Sequence, residues 1–297
     1  MKKIFSLFAA LTLSVGLWAA APVVGDQFLD EDSGLKFEVT AVGETNTVKV
    51  YPGEYTKTSY TVPSMVTYKE VEFAVTAIGE SAFQGCSSLQ SITLPASVTE
   101  IEISAFKGTG LTSITLPEDL TTIGGAAFMM CSGLQSITIP AGVTEIGVST
   151  FFQCSSLASI TLPEGLTTIG TWAFVMSGLI SISIPASVTT IEEGAFANCA
   201  SLAAVTLEGN SCQEGIADDA FTNVGATAPA LLTLPKGWTG TKPDEDGNWY
   251  GGKFELAEDP TTLPQMRAAV KTTKVMTNGQ VIFRAENKNY TILGQEK

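Results

Sequence analysis

The stretch "SITLP" at residues 91–95 decides the reading of this chain. It returns as "SITLP" at 113, "SITIP" at 136, "SITLP" at 159, "SISIP" at 181 and a worn "AVTLE" at 204. Laid out by this refrain, residues 75–210 divide into six units of 22 or 23 residues, from "VTAIGESAFQGCSSLQSITLPAS" to "VTTIEEGAFANCASLAAVTLEGN". A seventh, stretched unit follows in "IADDAFTNVGATAPALLTLPKG", and a partial one precedes them in "YTVPSMV" at 60–66. A fixed period of this length signals a solenoid, because one unit cannot bury an apolar face and must stack on its neighbours.

The apolar slots recur in register: Ile78, Phe83, Leu89, Ile92 and Leu94 in the first unit, Ile123, Phe128, Leu134, Ile137 and Ile139 in the third. In "LQSITLP", Ile92 and Leu94 alternate with Ser91 and Thr93, the two-residue period of a strand, and Pro95 ends the strand by lacking an amide proton. "VTAIG" reads as a second short strand. Between them "SAFQGCSSL" is too short for a full helix and predicts a single helical or 3₁₀ turn. The fold expected is therefore mainly β: parallel ladders joined by short turns. Open solenoid ends require caps, assigned to residues 26–74 and 238–260, with the solenoid proper at 75–237.

The pattern L-x-x-I-x-I/L-P-x-x-V/L-T-x-I-G-x-x-A-F-x-x-C, held through the tandem units, resembles the 23-residue leucine-rich repeat of BspA-like surface proteins of oral and gut anaerobic bacteria. That resemblance covers about residues 60–237 and implies a leucine-rich-repeat solenoid displayed at a bacterial cell surface. It also implies adhesion to host proteins or other bacteria, without catalysis. The departures are local. The second and fifth units lack the Cys and one residue, and the sixth has Glu208 where the Pro belongs.

The termini fit export. "MKKIFSLFAALTLSVGLWAAAPVV" places Lys2 and Lys3 before an apolar run and Ala19, Ala20 and Ala21 after it, the order of a signal peptide, assigned to residues 1–20. No second long apolar stretch follows, so no integral membrane segment is expected after its removal. Residues 261–297 change composition, with six basic residues against two acids. Three short strands are expected there, with a tight turn at Asn278–Gly279. The closing "YTILGQE" is similar to the C-terminal sorting signal of secretion systems in the same bacteria, which implies secretion or retention at the outer membrane.

Charge and residue types narrow the functions. Without residues 1–20, 14 basic residues face 30 acidic ones, and between residues 75 and 210 Lys107 is the single base against ten acids. Nucleic acid, which demands clustered Lys and Arg, is excluded as a partner. The chain has no His, which removes the commonest general base and imidazole metal ligand. Adjacent acids such as Glu192 with Glu193 and Glu118 with Asp119 read as solvated charge. "LDEDSG" at 29–34 and "PDEDGN" at 243–248 read as turns, since neither completes a calcium loop. No catalytic residue, metal site or cofactor is expected.

Cys86, Cys131, Cys154 and Cys199 fill one slot of the repeat. Only Cys131 and Cys154 occupy adjacent units, where a ~4.8 Å coil spacing is within disulfide range. Such a bridge and a packed pair of thiols are both open readings, the second being the commoner use of buried Cys. Cys212 falls in another slot.

Two surfaces are candidate partner sites. One is a hydroxyl ladder on the outer side of the strands: Thr93, Thr115, Thr138, Thr161, Ser183 and Thr206. The other lies where the copies disagree: Met129, Met130, Phe152, Trp172, Val175 and Met176 interrupt slots that are polar or small in the outer units. If they face outward, they form an apolar patch of the kind that marks interaction sites. The expectation is a cell-surface binding protein for an extracellular protein or glycan. The alternative is a structural component whose repeats only self-associate. Oligomeric state is left open.

Overall fold

The computed structural model describes residues 20–257 and three strands of the C-terminal segment. The body is a β-solenoid of about nine turns, mainly parallel β and, among the described residues, without helices. That exceeds the seven full coils counted from the refrain, because both caps continue the stack. Ser59–Thr61 pairs in parallel with Ser91–Thr93, setting Tyr60 beside Ile92. At the other end Ala230–Thr233 pairs with Ala204–Leu207, and Gly252–Leu256 adjoins it in the same sheet.

Each coil turns its apolar slots inward. In Ser136–Thr138 and Ser159–Thr161 the hydroxyl residues pair across the ladder, as do Ile137 and Ile160. The core is dominated by an aromatic column: Phe83, Phe106, Phe128, Phe151, Phe174, Phe196 and Phe221, one per coil, all fully buried. Successive rings stack nearly parallel, at spacings from 5.0 Å between Phe196 and Phe221 to 5.5 Å between Phe128 and Phe151. This column is where stacking contributes most, since a lone ring would expose its faces. Tyr55 covers its first ring at 4.8 Å, and Trp249 its last at 5.2 Å.

The second short strand of each coil forms a separate ladder. Val71–Ile78, Glu100–Ile101 and Thr122–Ile123 pair in parallel, and so do Glu145–Ile146, Thr168–Ile169 and Thr190–Ile191. The N-terminal cap extends the first group: Gln27–Asp30 pairs with Leu35–Ala41 and that with Thr47–Tyr51, both antiparallel, and Thr47–Tyr51 joins Val71–Ile78 in parallel. Met65–Tyr68 folds back on Val71–Ile78 through Lys69 and Glu70, both at positive φ, the geometry of a tight hairpin turn. Lys69 Nζ reaches Asp26 at 2.9 Å.

The connecting stretch is neither helical nor 3₁₀. In "ESAFQGC", the N–H groups of Ala82, Gln84 and Cys86 close four-residue turns, whereas those of Ser81, Phe83 and Gly85 donate to Ile103, Ala105 and Lys107 of the next coil. Alternate amides are thus spent between coils, which leaves too few within the segment for a helix. The backbone achieves this with a left-handed residue at both ends of the turn: Ser81 and Gly85, Ser104 and Gly108, Ala126 and Met130, Ser149 and Gln153, Trp172 and Met176, Gly194 and Asn198.

All five cysteines are free thiols. Cys131 Sγ donates to Phe106 O at 3.0 Å, Cys154 to Phe128 O at 3.1 Å and Cys199 to Phe174 O at 2.9 Å. The slot therefore serves as packing plus a weak donor to the preceding coil, and Cys131 and Cys154 are not bridged. Where the Cys is missing, a hydroxyl replaces it: Thr109 Oγ1 lies 3.2 Å from Cys131 Sγ, and Ser177 Oγ 3.2 Å from Cys199 Sγ.

The C-terminal segment is a separate unit, an antiparallel sheet of Thr273–Thr277, Gln280–Ala285 and Lys288–Tyr290. The expected turn at Asn278–Gly279, the signal peptide and most of "YTILGQE" lie outside the described residues.

Candidate functional site: an apolar ridge and an acidic groove

The left-handed residues decide which side chains reach solvent. For L-residues this conformation costs about 1–2 kcal/mol, so Gly, Asn, Asp or a small residue normally occupies it. The slots follow that rule at Ser81, Gly85, Ser104, Gly108, Gly194 and Asn198. They break it at Gln153, with φ of 56°, and with apolar side chains at Met130, Trp172 and Met176, with φ of 61°, 55° and 56°. These three side chains stand 46, 47 and 46% exposed. A bulky apolar residue in a strained conformation, with about half of its surface in water, recovers only part of what its burial would give the fold.

The remaining members of the predicted patch turn differently. Met129 and Phe152 are half-buried, and Val175, at 7% exposed, packs inward. The exposed ridge is therefore Met130, Trp172 and Met176, with Met129 and Phe152 flanking it. The Trp172 ring is seated: a Cβ on Gly194 would fall 2.7 Å from Trp172 Cδ1. The glycine of the next coil, itself left-handed at φ 57°, leaves the space that the indole fills. Gln153 Nε2 lies 3.6 Å from Met176 Sδ, and Asn223 Nδ2 donates to Asn198 Oδ1 at 2.8 Å, so the ridge grades into a polar amide row.

Of the hydroxyl ladder, Thr93, Thr138, Thr161, Ser183 and Thr206 lie on strands, whereas Thr115 lies in a stretch, 113–116, that forms no strand. Thr93, Thr115, Thr138, Thr161 and Ser183 are exposed and Thr206 half-buried. Ser183 Oγ donates to Glu208, the residue that replaces the Pro in the sixth unit.

Sequence reasoning missed a third surface. One residue before the first left-handed slot, the coils read Glu80, Ile103, Gly125, Val148, Thr171 and Glu193. Ile103 and Val148 are 56 and 51% exposed, and Gly125 between them leaves a hollow. It opens into a groove of about 810 Å³ lined also by Glu80, Glu100, Thr122, Ile123 and Glu145. The signal was available in the irregularity of that column.

Backbone pairing is interrupted on the same face. Thr121 N–H donates to Thr99 O and Gly124 N–H to Ile101 O, and one coil later Thr167 and Gly170 repeat the pattern onto Thr144 and Ile146. The corresponding bonds from Thr144 to Thr121 O and from Gly147 to Ile123 O are not formed. The ladder accordingly divides between Thr122–Ile123 and Glu145–Ile146.

Several acids are engaged locally. Glu102 accepts the Glu80 amide at 2.8 Å and Lys49 Nζ at 3.1 Å. Glu192 Oε2 accepts the Thr171 amide at 2.9 Å and its hydroxyl at 2.8 Å. Asp244 accepts the Asn248 amide and side chain, which hold its carboxyl below the usual 3.8. Asp30 caps its own turn through Ser33 N–H at 2.9 Å.

Comparison with known proteins places this geometry. A family model described as the BspA type leucine rich repeat region matches in six copies, over residues 62–174 and 126–228. A leucine rich cell surface protein from Faecalibacterium prausnitzii A2-165 is 30% identical, with a TM-score of 0.50 over 64% of this chain and 56% of that one. The chain thus spans little more than half the length of that protein. A leucine-rich repeat protein from Bacteroides ovatus ATCC 8483 is 22% identical, with a TM-score of 0.38 over 67% of this chain and 70% of its own. The leucine-rich repeat protein TpLRR of T. pallidum is 24% identical, with a TM-score of 0.38 over 67% of this chain and 83% of its own. No curated protein matches the chain. With the repeat slots, the stacked Phe column and the family match in agreement, the chain belongs to the BspA type leucine rich repeat family.

Proposed function

We propose that this protein is an exported, cell-surface binding module that holds an extracellular protein partner against the ridge of Met130, Trp172 and Met176. The observation that carries the reading is the cost of that ridge. Three bulky apolar residues occupy left-handed positions that Gly, Ala, Ser, Asn or Gln fill in other coils, and all three are exposed. Exposed Trp and Met set in a polar surround are the residue types that dominate protein interfaces. The signal-like N-terminus and the cell-surface naming of the Faecalibacterium relative support the location. The absence of His from the sequence and the local engagement of Glu102 and Glu192 support a non-enzymatic role.

The test is a binding screen of the chain against immobilised extracellular matrix proteins and cell-surface glycans, run beside a variant carrying Met130→Ser, Trp172→Ser and Met176→Ser. Saturable binding of a protein that the triple variant loses by ~30-fold or more is expected, since truncated interface anchors cost about 2 kcal/mol or more. Undiminished binding by the variant rejects the ridge. Concentration-dependent oligomers without any partner would favour a self-associating structural role instead.

A further inference from the structure

We infer that the groove between the second and fourth coils is a second binding site, separate from the ridge, for an extended peptide segment that alternates basic and aliphatic residues. Three independent features converge there. The walls are apolar and exposed, Ile103 and Val148 standing on either side of the hollow at Gly125. The floor carries the ladder break, where the amides of Thr144 and Gly147 and the carbonyls of Thr121 and Ile123 do not pair with each other as their counterparts in neighbouring coils do. The rim is anionic: Glu80, Glu100 and Glu145 line the groove together with Glu102, and no basic residue does.

Three of the four charges are uncompensated. Among the described residues, Lys49 pairs with Glu38 and Glu102, and Lys69 with Asp26, so Glu80, Glu100 and Glu145 have no cationic partner. A volume of about 810 Å³ suits a few residues of peptide and is within the usual range of ligand clefts. Lysine and arginine match the site in both parts, laying an aliphatic stem on Ile103 or Val148 while the cation meets a carboxylate. The walls and the rim hold such a segment, because Ala126 N–H still donates to Val148 O at 2.8 Å and leaves no strand's width between the coils. An acidic or neutral hydroxyl-rich ligand meets repulsion or leaves the carboxylates unanswered.

The probe is a fluorescent decapeptide of alternating lysine and valine, titrated by anisotropy into the full chain, with the glutamate–valine counterpart as control. The lysine peptide is expected to bind saturably and more weakly as salt rises, and the glutamate peptide not at all. Gly125→Leu fills the hollow and should abolish binding, and Glu100→Gln with Glu145→Gln should weaken it roughly 10-fold, about the limit for two partly screened pairs. The second variant keeps the test decisive if leucine at residue 125 disturbs the fold. Trp172→Ser leaves this binding unchanged while removing that of the ridge partner, so the two sites fail separately. Absence of binding, equal binding by both groove variants, or an equal loss from Glu118→Gln with Asp119→Asn on another face would overturn the assignment.

Discussion

Met130 holds a backbone conformation that its side chain disfavours, and the same is true of Trp172 and Met176. If the ridge exists for a partner, relieving the strain should help the fold and harm binding. Met130→Gly is expected to raise unfolding free energy by roughly 0.5–1 kcal/mol, the left-handed penalty less the entropy that glycine adds to the unfolded chain. Urea titration of the variant checks this; destabilisation would mean that Met130 packs for stability. The left-handed slots were partly legible, because Gly85, Gly108, Asn198 and Asn223 are residue types that tolerate the conformation. Which of Val175 and Met176 faces water was not, because that depends on the pairing of alternate amides between coils. The buried thiols give a second prediction at this scale. Burial pushes Cys199 up to about 11, and Cys131 and Cys154 also upward. The reactive thiolate is therefore suppressed. At pH 8 a maleimide should leave these three unmodified in the native chain and label all five cysteines in guanidinium. Raised folded values also mean that stability falls as pH rises above the ordinary thiol value of 9.0. Fewer than five labelled thiols in the unreduced, unfolded chain would reveal a disulfide and contradict the packing account.

At the scale of elements, the coil is built from two short strands and a turn whose amides alternate between local and inter-coil partners. The strands and their facing were readable from Ile and Leu alternating with Ser and Thr, except at 113–116, which keep the alternation without forming a strand. The turn was not, because a 3₁₀ segment and this alternating turn share length and composition and differ only in where each N–H goes. The ladder break between Thr122–Ile123 and Glu145–Ile146 left no mark in the refrain, since both coils keep "T-x-I-G". The end coils are controlled by single aromatics. Trp249 closes the Phe column over Phe221, and its indole N–H donates to Thr241 O at 3.0 Å. Trp249→Ala should cost about 3–5 kcal/mol, the usual loss for a buried large aromatic. It should also expose Phe221 as a sticky end, seen as added mass in light scattering. A monomer of unchanged stability would show that the stack needs no cover there.

For the whole molecule, a solenoid of near-identical coils has stability set by nearest neighbours, so a coil can be removed if the register is kept. Deleting residues 143–165 joins Gly142 to Leu166, which occupies the slot of Val143. The shortened chain should keep its β-rich circular dichroism and a cooperative, lower-temperature unfolding transition, and it should lose the groove because Glu145 and Val148 go with it. Collapse into an unfolded chain would contradict the additive picture. On this view the repeated residues make the frame and the irregular ones make the sites. The most direct test compares two variants for binding to the extracellular protein captured by the native chain. One carries Met130→Ser, Trp172→Ser and Met176→Ser; the other carries Thr115→Lys, Thr138→Lys and Thr161→Lys on the regular hydroxyl ladder. The account predicts that the first loses binding and the second keeps it, and the reverse order would contradict it.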